Sequence, residues 1–124
     1  MTHQTVIRSF EDLDVYQRSY KAALEIHKAS LNFPKIEQYA LADQVRRASK
    51  SICANLAEGF ARQRSSSADF RRFVVLAIGS GDEMKVWLSF CLDLGYMTAD
   101  DVKRLKEEYS EIARMLHGLM NSWK

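Results

Sequence analysis

Proline occurs once in the 124 residues, at position 34, and glycine only five times. So few helix breakers disfavour a fold of many short strands joined by turns and favour long uninterrupted helices. No apolar run approaches the roughly 18 residues of a bilayer span. Met1 to Arg8 also lacks the charged-then-apolar layout of a signal peptide. The expectation is a cytoplasmic protein with no membrane partner. Cysteine is scarce as well: Cys53 and Cys91 stand far apart and outside any C-x-x-C pair. In a reducing compartment the leading reading is two buried free thiols, with a disulfide or a reactive thiol as the alternative. The three histidines, His3, His27 and His117, form no H-x-x-x-H pair, and no helix offers the E-x-x-H spacing of di-iron bundles. His27 and His117 read as core-edge side chains, and no metal or cofactor is expected.

What is present is helical periodicity. One domain accommodates this length and can bury a real core. Residues 1–8 carry no pattern and are expected as a tail ahead of a single domain over 9–124. Helix one starts between Ser9 and Asp12, where Ser9-x-x-Asp12 resembles a capping box, and Leu13, Tyr16, Tyr20, Leu24, His27 and Leu31 mark one face. Asn32-Phe33-Pro34 ends it, and Pro34 to Gln38 form either a separate short turn or the first turn of the next helix. The second helix runs from about Tyr39 to Glu58 with Gly59 as a left-handed terminal residue, or frays onward to Arg62. Its apolar stripe is Leu41, Val45, Ala48, Ile52 and Leu56.

A serine of the Ser65-Ser66-Ser67 run caps helix three, which spans roughly Ala68 to Leu94. Phe70, Val74, Ala77, Gly81, Met84, Leu88 and Cys91 alternate steps of four and three, the seam of bundle packing. Inside it, Gly79-Ser80-Gly81 costs about 1 kcal/mol per glycine relative to alanine. Close approach of a neighbouring backbone is the expected reason; a phosphate-cradling loop is the alternative, though no P-loop pattern surrounds it. Gly95 closes the helix, Thr98 caps the next, and Met97 can staple to Val102. Val102, Leu105, Tyr109, Ile112, Leu116 and Leu119 then repeat toward Trp123. Four helices with short connections predict an all-α, antiparallel up-down-up-down four-helix bundle.

Chemistry is thinner than architecture. Gln44, Arg47, Ser51, Asn55 and Glu58 form a polar stripe beside the apolar one on helix two. It reads either as a solvated flank or, with Ser80 and Glu83, as a polar seam satisfied by another helix or subunit. Glu58 and Glu83 could approach where helices two and three meet, the weak case for acid–base catalysis, and a structural network explains them at lower cost. The chain is therefore expected not to be an enzyme. The net charge of +2 hides a regional excess: Arg46, Arg47, Lys50, Arg62, Arg64, Arg71 and Arg72 face only Glu58 and Asp69 within residues 46–72. Guanidinium forks suit phosphate geometry, so these seven are the candidate contacts to a nucleic acid, with a solvated basic face as the bland alternative. Val75, Ile78, Trp87 and Phe90 fall off the helix-three seam, and a helix that is apolar round much of its circumference is central or covered by a partner. A homo-oligomer follows.

In combination, Phe33-Pro34-x-x-Glu37, Gln44-x-Arg46-Arg47-Ala48-x-x-Ser51-Ile52-x-x-Asn55-x-Ala57-Glu58-Gly59, Ala77-x-Gly79-Ser80-x-x-Glu83 and Leu94-Gly95-Tyr96 resemble the bacterial four-helix-bundle family of ribosomal-RNA (23S rRNA) intervening-sequence proteins. The resemblance spans about Phe10 to Leu119. That family is similar to the accessory variability protein of diversity-generating retroelements, a pentameric barrel that engages a reverse transcriptase and nucleic acid. The resemblance thus implies a homopentamer with a basic surface and carries over no catalytic residue. The expected function is a non-enzymatic, ring-forming bundle that binds structured RNA or another nucleic acid. The alternative is an interaction scaffold whose basic face meets an acidic protein.

Overall fold

The computed structural model describes residues 6–122, so His3, Trp123 and the first five residues of the expected tail lie outside the described residues. Four α-helices make the fold: α1 Asp14–Ser30, α2 Leu41–Arg62, α3 Ser67–Asp93 and α4 Ala99–Ser122. No strand occurs among the described residues. Each helix packs against its two sequence neighbours around a ring, α4 closing on α1, and the diagonal pairs do not meet. Cross-helix pairs fix the directions. His27 meets Lys50 and Ser30 meets Arg46; Gly59 lies at Phe73 and Ile52 at Gly81; Arg18 meets Glu108 and Glu25 meets Arg104. Numbers rise on one helix as they fall on the next, so adjacent helices are antiparallel.

The α3 repeat is the spine of the core. Phe70, Val74, Ala77, Gly81, Met84, Leu88 and Cys91 are all buried, as the alternating four-three spacing predicts. Val45, Ala48, Ile52 and Leu56 of α2 and Val102, Leu105, Tyr109, Ile112 and Leu116 of α4 pack into the same cluster. The helix ends use local chemistry that the sequence signals. Ser66 Oγ accepts the Asp69 N–H at 3.1 Å, and Thr98 Oγ1 accepts the Asp101 N–H at 3.1 Å. Gly95 sits at φ 79°, with the Tyr96 N–H donating to the Cys91 carbonyl at 2.8 Å and its own N–H to Leu92 at 3.0 Å. That is a Schellman closure, which glycine enters without a Cβ penalty. Ser9 and Asp12 do form a reciprocal capping box, but on a single 3-10 turn, Phe10–Asp12, that precedes α1. Lys35–Glu37 is likewise a separate 3-10 turn.

Three expectations are corrected. The face assigned to α1 is rotated by about 100°, one residue's turn of the helix. Its buried residues are Val15, Ser19, Ala22, Ala23, Ile26 and Ser30, whereas Tyr20, Leu24 and Leu31 are exposed. Small side chains let α1 sit close to the bundle, and the large ones are pushed to its edge. Gly59 does not end α2, which continues to Arg62 as the alternative expected. It is buried inside the helix, and a Cβ there would stand 3.0 Å from Phe73 Cβ and 3.3 Å from the Phe70 carbonyl oxygen. The close helix approach expected at Gly79-Ser80-Gly81 is therefore made at Gly59. A Cβ on Gly81 would have ordinary contact with Ile52, and one on Gly79 would meet nothing within 4 Å. Among the described residues no helix is long and apolar enough to cross a membrane.

Candidate nucleic-acid interface

The seven cations of residues 46–72 do not share one surface, because α2 turns them to different neighbours. Arg46 faces the end of α1. Its guanidinium donates to Ser30 Oγ at 2.8 Å, to the Gln38 carbonyl at 2.7 Å and to Gln38 Oε1 at 3.3 Å. Gln38 Nε2 in turn donates to the carbonyls of Ser30 and Phe33 at 2.9 and 3.0 Å. Gln38 thus adds a second donor to the Ser30 carbonyl at the end of α1, and Arg46 ties the Ser30 hydroxyl to Gln38. Lys50 lies one turn on, its Nζ 3.0 Å from His27 Nδ1. Desolvation, then the positive charges of Lys50 and Arg46, lower the His27 pKa, which favours a neutral ring accepting from the ammonium. His27 is half-buried, as a core-edge side chain, but His117 is exposed. Arg47 is paired with Asp43 at 2.9 Å on the solvent side of α2.

The other four arginines meet at the α2–α3 end of the bundle. The Gly59 crossing holds α2 against α3 there, and the Ser66 cap starts α3 within four residues of Arg62. Arg62 Nη1 contacts Glu58 Oε2 at 2.8 Å, while Arg72 Nε stands 3.9 Å from Asp69 Oδ1. Both guanidinium carbons lie over the Phe73 ring, at 5.1 and 4.5 Å from its centroid. Cation–π attraction thus anchors two cations to one ring. Arg64 and Arg71 are exposed and have no ion pair or side-chain hydrogen bond among the described residues. Arg8 joins this end: with Ile7, Phe60 and Gln63 it lines a depression of about 450 Å³ that Arg64 also borders. Nothing local in the sequence points to Arg8, since its place depends on a contact more than fifty residues away.

The polar seam closes at its centre and opens at its ends. Asn55 Nδ2 donates to the Ser51 carbonyl and hydroxyl at 2.9 and 3.0 Å, and Ser80 Oγ lies 3.0 Å from Ser51 Oγ across the α2–α3 contact. Gln44 and Glu83 are exposed, with no side-chain partner among the described residues. Glu58 and Glu83 do not approach. From the Ser51–Ser80 register they diverge along antiparallel helices by about 15 Å at 1.5 Å per residue. The acid–base pair is therefore not assembled. No group of three or more potential metal ligands occurs among the described residues. Both cysteines are free, but only Cys91 is fully buried; Cys53 is half-buried in a groove between α1 and α2. Burial pushes both thiols up to about 11, so they stay protonated near neutral pH.

Other residues that carry the sequence resemblance hold the fold as well. Glu37 accepts the Leu41 N–H at 3.2 Å and the Tyr96 hydroxyl at 2.7 Å, and the Phe33 and Tyr96 rings pack 5.2 Å apart. Fold and site together define a helical bundle with an arginine-rich end. Residues 11–118 match the family of 23S rRNA-intervening sequence proteins, and the chain belongs to that family. A solved structure from Bacteroides thetaiotaomicron, described as a protein of unknown function from the S23 ribosomal protein family, has the same fold. Its TM-score is 0.76 at 23% identity, over 86% of this chain and 95% of that one. No curated protein matches the chain.

Proposed function

We propose that the protein is a non-enzymatic RNA-binding bundle, active as a homo-oligomeric ring, that grips the phosphates of structured RNA with its α2–α3 end. One observation supports this most: Arg64 and Arg71, close in sequence to the Arg62 and Arg72 that lie over the Phe73 ring, are exposed and without an ion pair among the described residues. Guanidinium groups held in a fixed array, with part of their charge uncompensated, suit bidentate phosphate contact. Arg46 is committed to the α1 end and Arg47 to Asp43, so they contribute field more than contact. Repetition of the arginine end around a ring, a homopentamer by the family resemblance, would multiply a modest charge into an extended anionic-polymer surface.

The test is a fluorescence-anisotropy titration of nuclease-treated protein with a structured ribosomal-RNA fragment at several salt concentrations. Four phosphate contacts per protomer predict a log–log salt slope of about −2 to −4 for each protomer engaged. Absence of binding at low salt would remove the nucleic-acid reading and favour an acidic protein partner.

A further inference from the structure

Among the apolar surfaces that the bundle leaves uncovered in the described residues, two differ in shape. One is a ridge on α3. Val75, Gly79, Val86 and Phe90 lie on the side opposite the buried seam, within about 40° of the direction pointing away from it at 100° per residue. Val75, Val86 and Phe90 are each about half exposed, at 51–52%. Gly79, mid-helix in the ridge, is exposed, and a Cβ there would meet nothing within 4 Å, so packing within the chain does not require a glycine. The other surface is the groove between α1 and α2, about 550 Å³, lined by Tyr16, Tyr20, Leu24, Cys53, Ala54 and Ala57. It takes the large α1 side chains that the core leaves out.

Their charges are complementary. Asp82 and Glu83 flank the ridge, exposed and without a side-chain partner among the described residues. Lys50 and the His27 ring border the groove. We propose that the α3 ridge of one copy docks into the α1–α2 groove of the next, with Gly79 letting a neighbouring helix approach closely and Asp82 and Glu83 facing Lys50. This rests on the reading that the chain assembles with itself, and it specifies how. Since α1 and α3 are diagonal and do not touch, ridge and groove face different directions. The contact is heterologous and repeats from copy to copy, closing into a ring where the rotation allows, whereas an isologous contact would stop at a dimer.

The test combines solution mass with cross-linking of the full chain by a short bis-maleimide. Val86→Cys and Leu24→Cys both change exposed positions. All variants carry Cys53→Ser, because Cys53 lines the groove, and Cys53→Ser alone gives the background, Cys91 being fully buried. The double variant should give a ladder from dimer upward, while each single variant stays at background. Gly79→Gln, whose side chain enters open space in the monomer, should weaken assembly at least tenfold with helicity unchanged. Cross-linking of Val86→Cys alone would show an α3–α3 contact and overturn the proposal. Oligomers by sedimentation with no ladder from the double variant would overturn this pairing of faces but leave self-assembly standing. A monomer at every concentration would overturn both.

Discussion

Arg46 and Arg64 carry the same guanidinium and serve different ends. Arg46 donates three hydrogen bonds into the Ser30–Gln38 corner, which ties α1 to the start of α2. Arg64 donates none among the described residues. Removing Arg46 strips a charged donor from partly buried acceptors, a loss of about 1–3 kcal/mol. Arg46→Ala should therefore lower the unfolding free energy by that amount, and the urea midpoint with it, while changing RNA affinity less than about threefold, a factor worth only some 0.7 kcal/mol. Urea melts and anisotropy on the same preparation check both; an unchanged midpoint with lost binding would return Arg46 to the interface. In the sequence these cations look alike. Their difference lies in partners 8 and 16 residues away, which a charge count does not see. Arg8 shows the same limit more strongly.

At the scale of the helix, legibility follows side-chain size. The α3 seam is readable because a strict 3.5-residue repeat of apolar positions must face a partner, and every one of its members is buried. The caps at Ser66, Thr98 and Gly95 are readable because each uses one side chain or one backbone angle. The α1 face is harder to read, because the pattern of large apolar residues marks the groove, while the core side is built largely of Ala and Ser. Gly59 has the same ambiguity: glycine suits a helix end and a close crossing equally, and only the position of α3 decides. Ile26 is 1% exposed and Leu24 45%. Ile26→Ala should thus cost about 2–4 kcal/mol through lost burial and a residual cavity, and Leu24→Ala less than about 1 kcal/mol. Thermal or urea melts decide; equal costs would place the two side chains in one core.

For the whole molecule, the four-helix architecture was legible nearly complete, and the site only in outline. The residues that resemble the family mostly serve the bundle: the Glu37–Tyr96 link, the Ser51–Asn55–Ser80 network, the Gly59 crossing and the Arg46 corner. What they leave free is an arginine end, an acidic apolar ridge and an apolar groove. In the proposed function, phosphate contact belongs to the α2–α3 end rather than to the whole basic stretch. RNA affinity should be measured by anisotropy at one moderate salt for wild type, Arg47→Glu and the double variant Arg64→Glu with Arg71→Glu, each with a melting curve. The double variant should lose at least tenfold, about 1.4 kcal/mol, and Arg47→Glu under threefold, with all three folded. Unchanged affinity in the double variant, or the larger loss from Arg47→Glu, would contradict that placement of the phosphate contact.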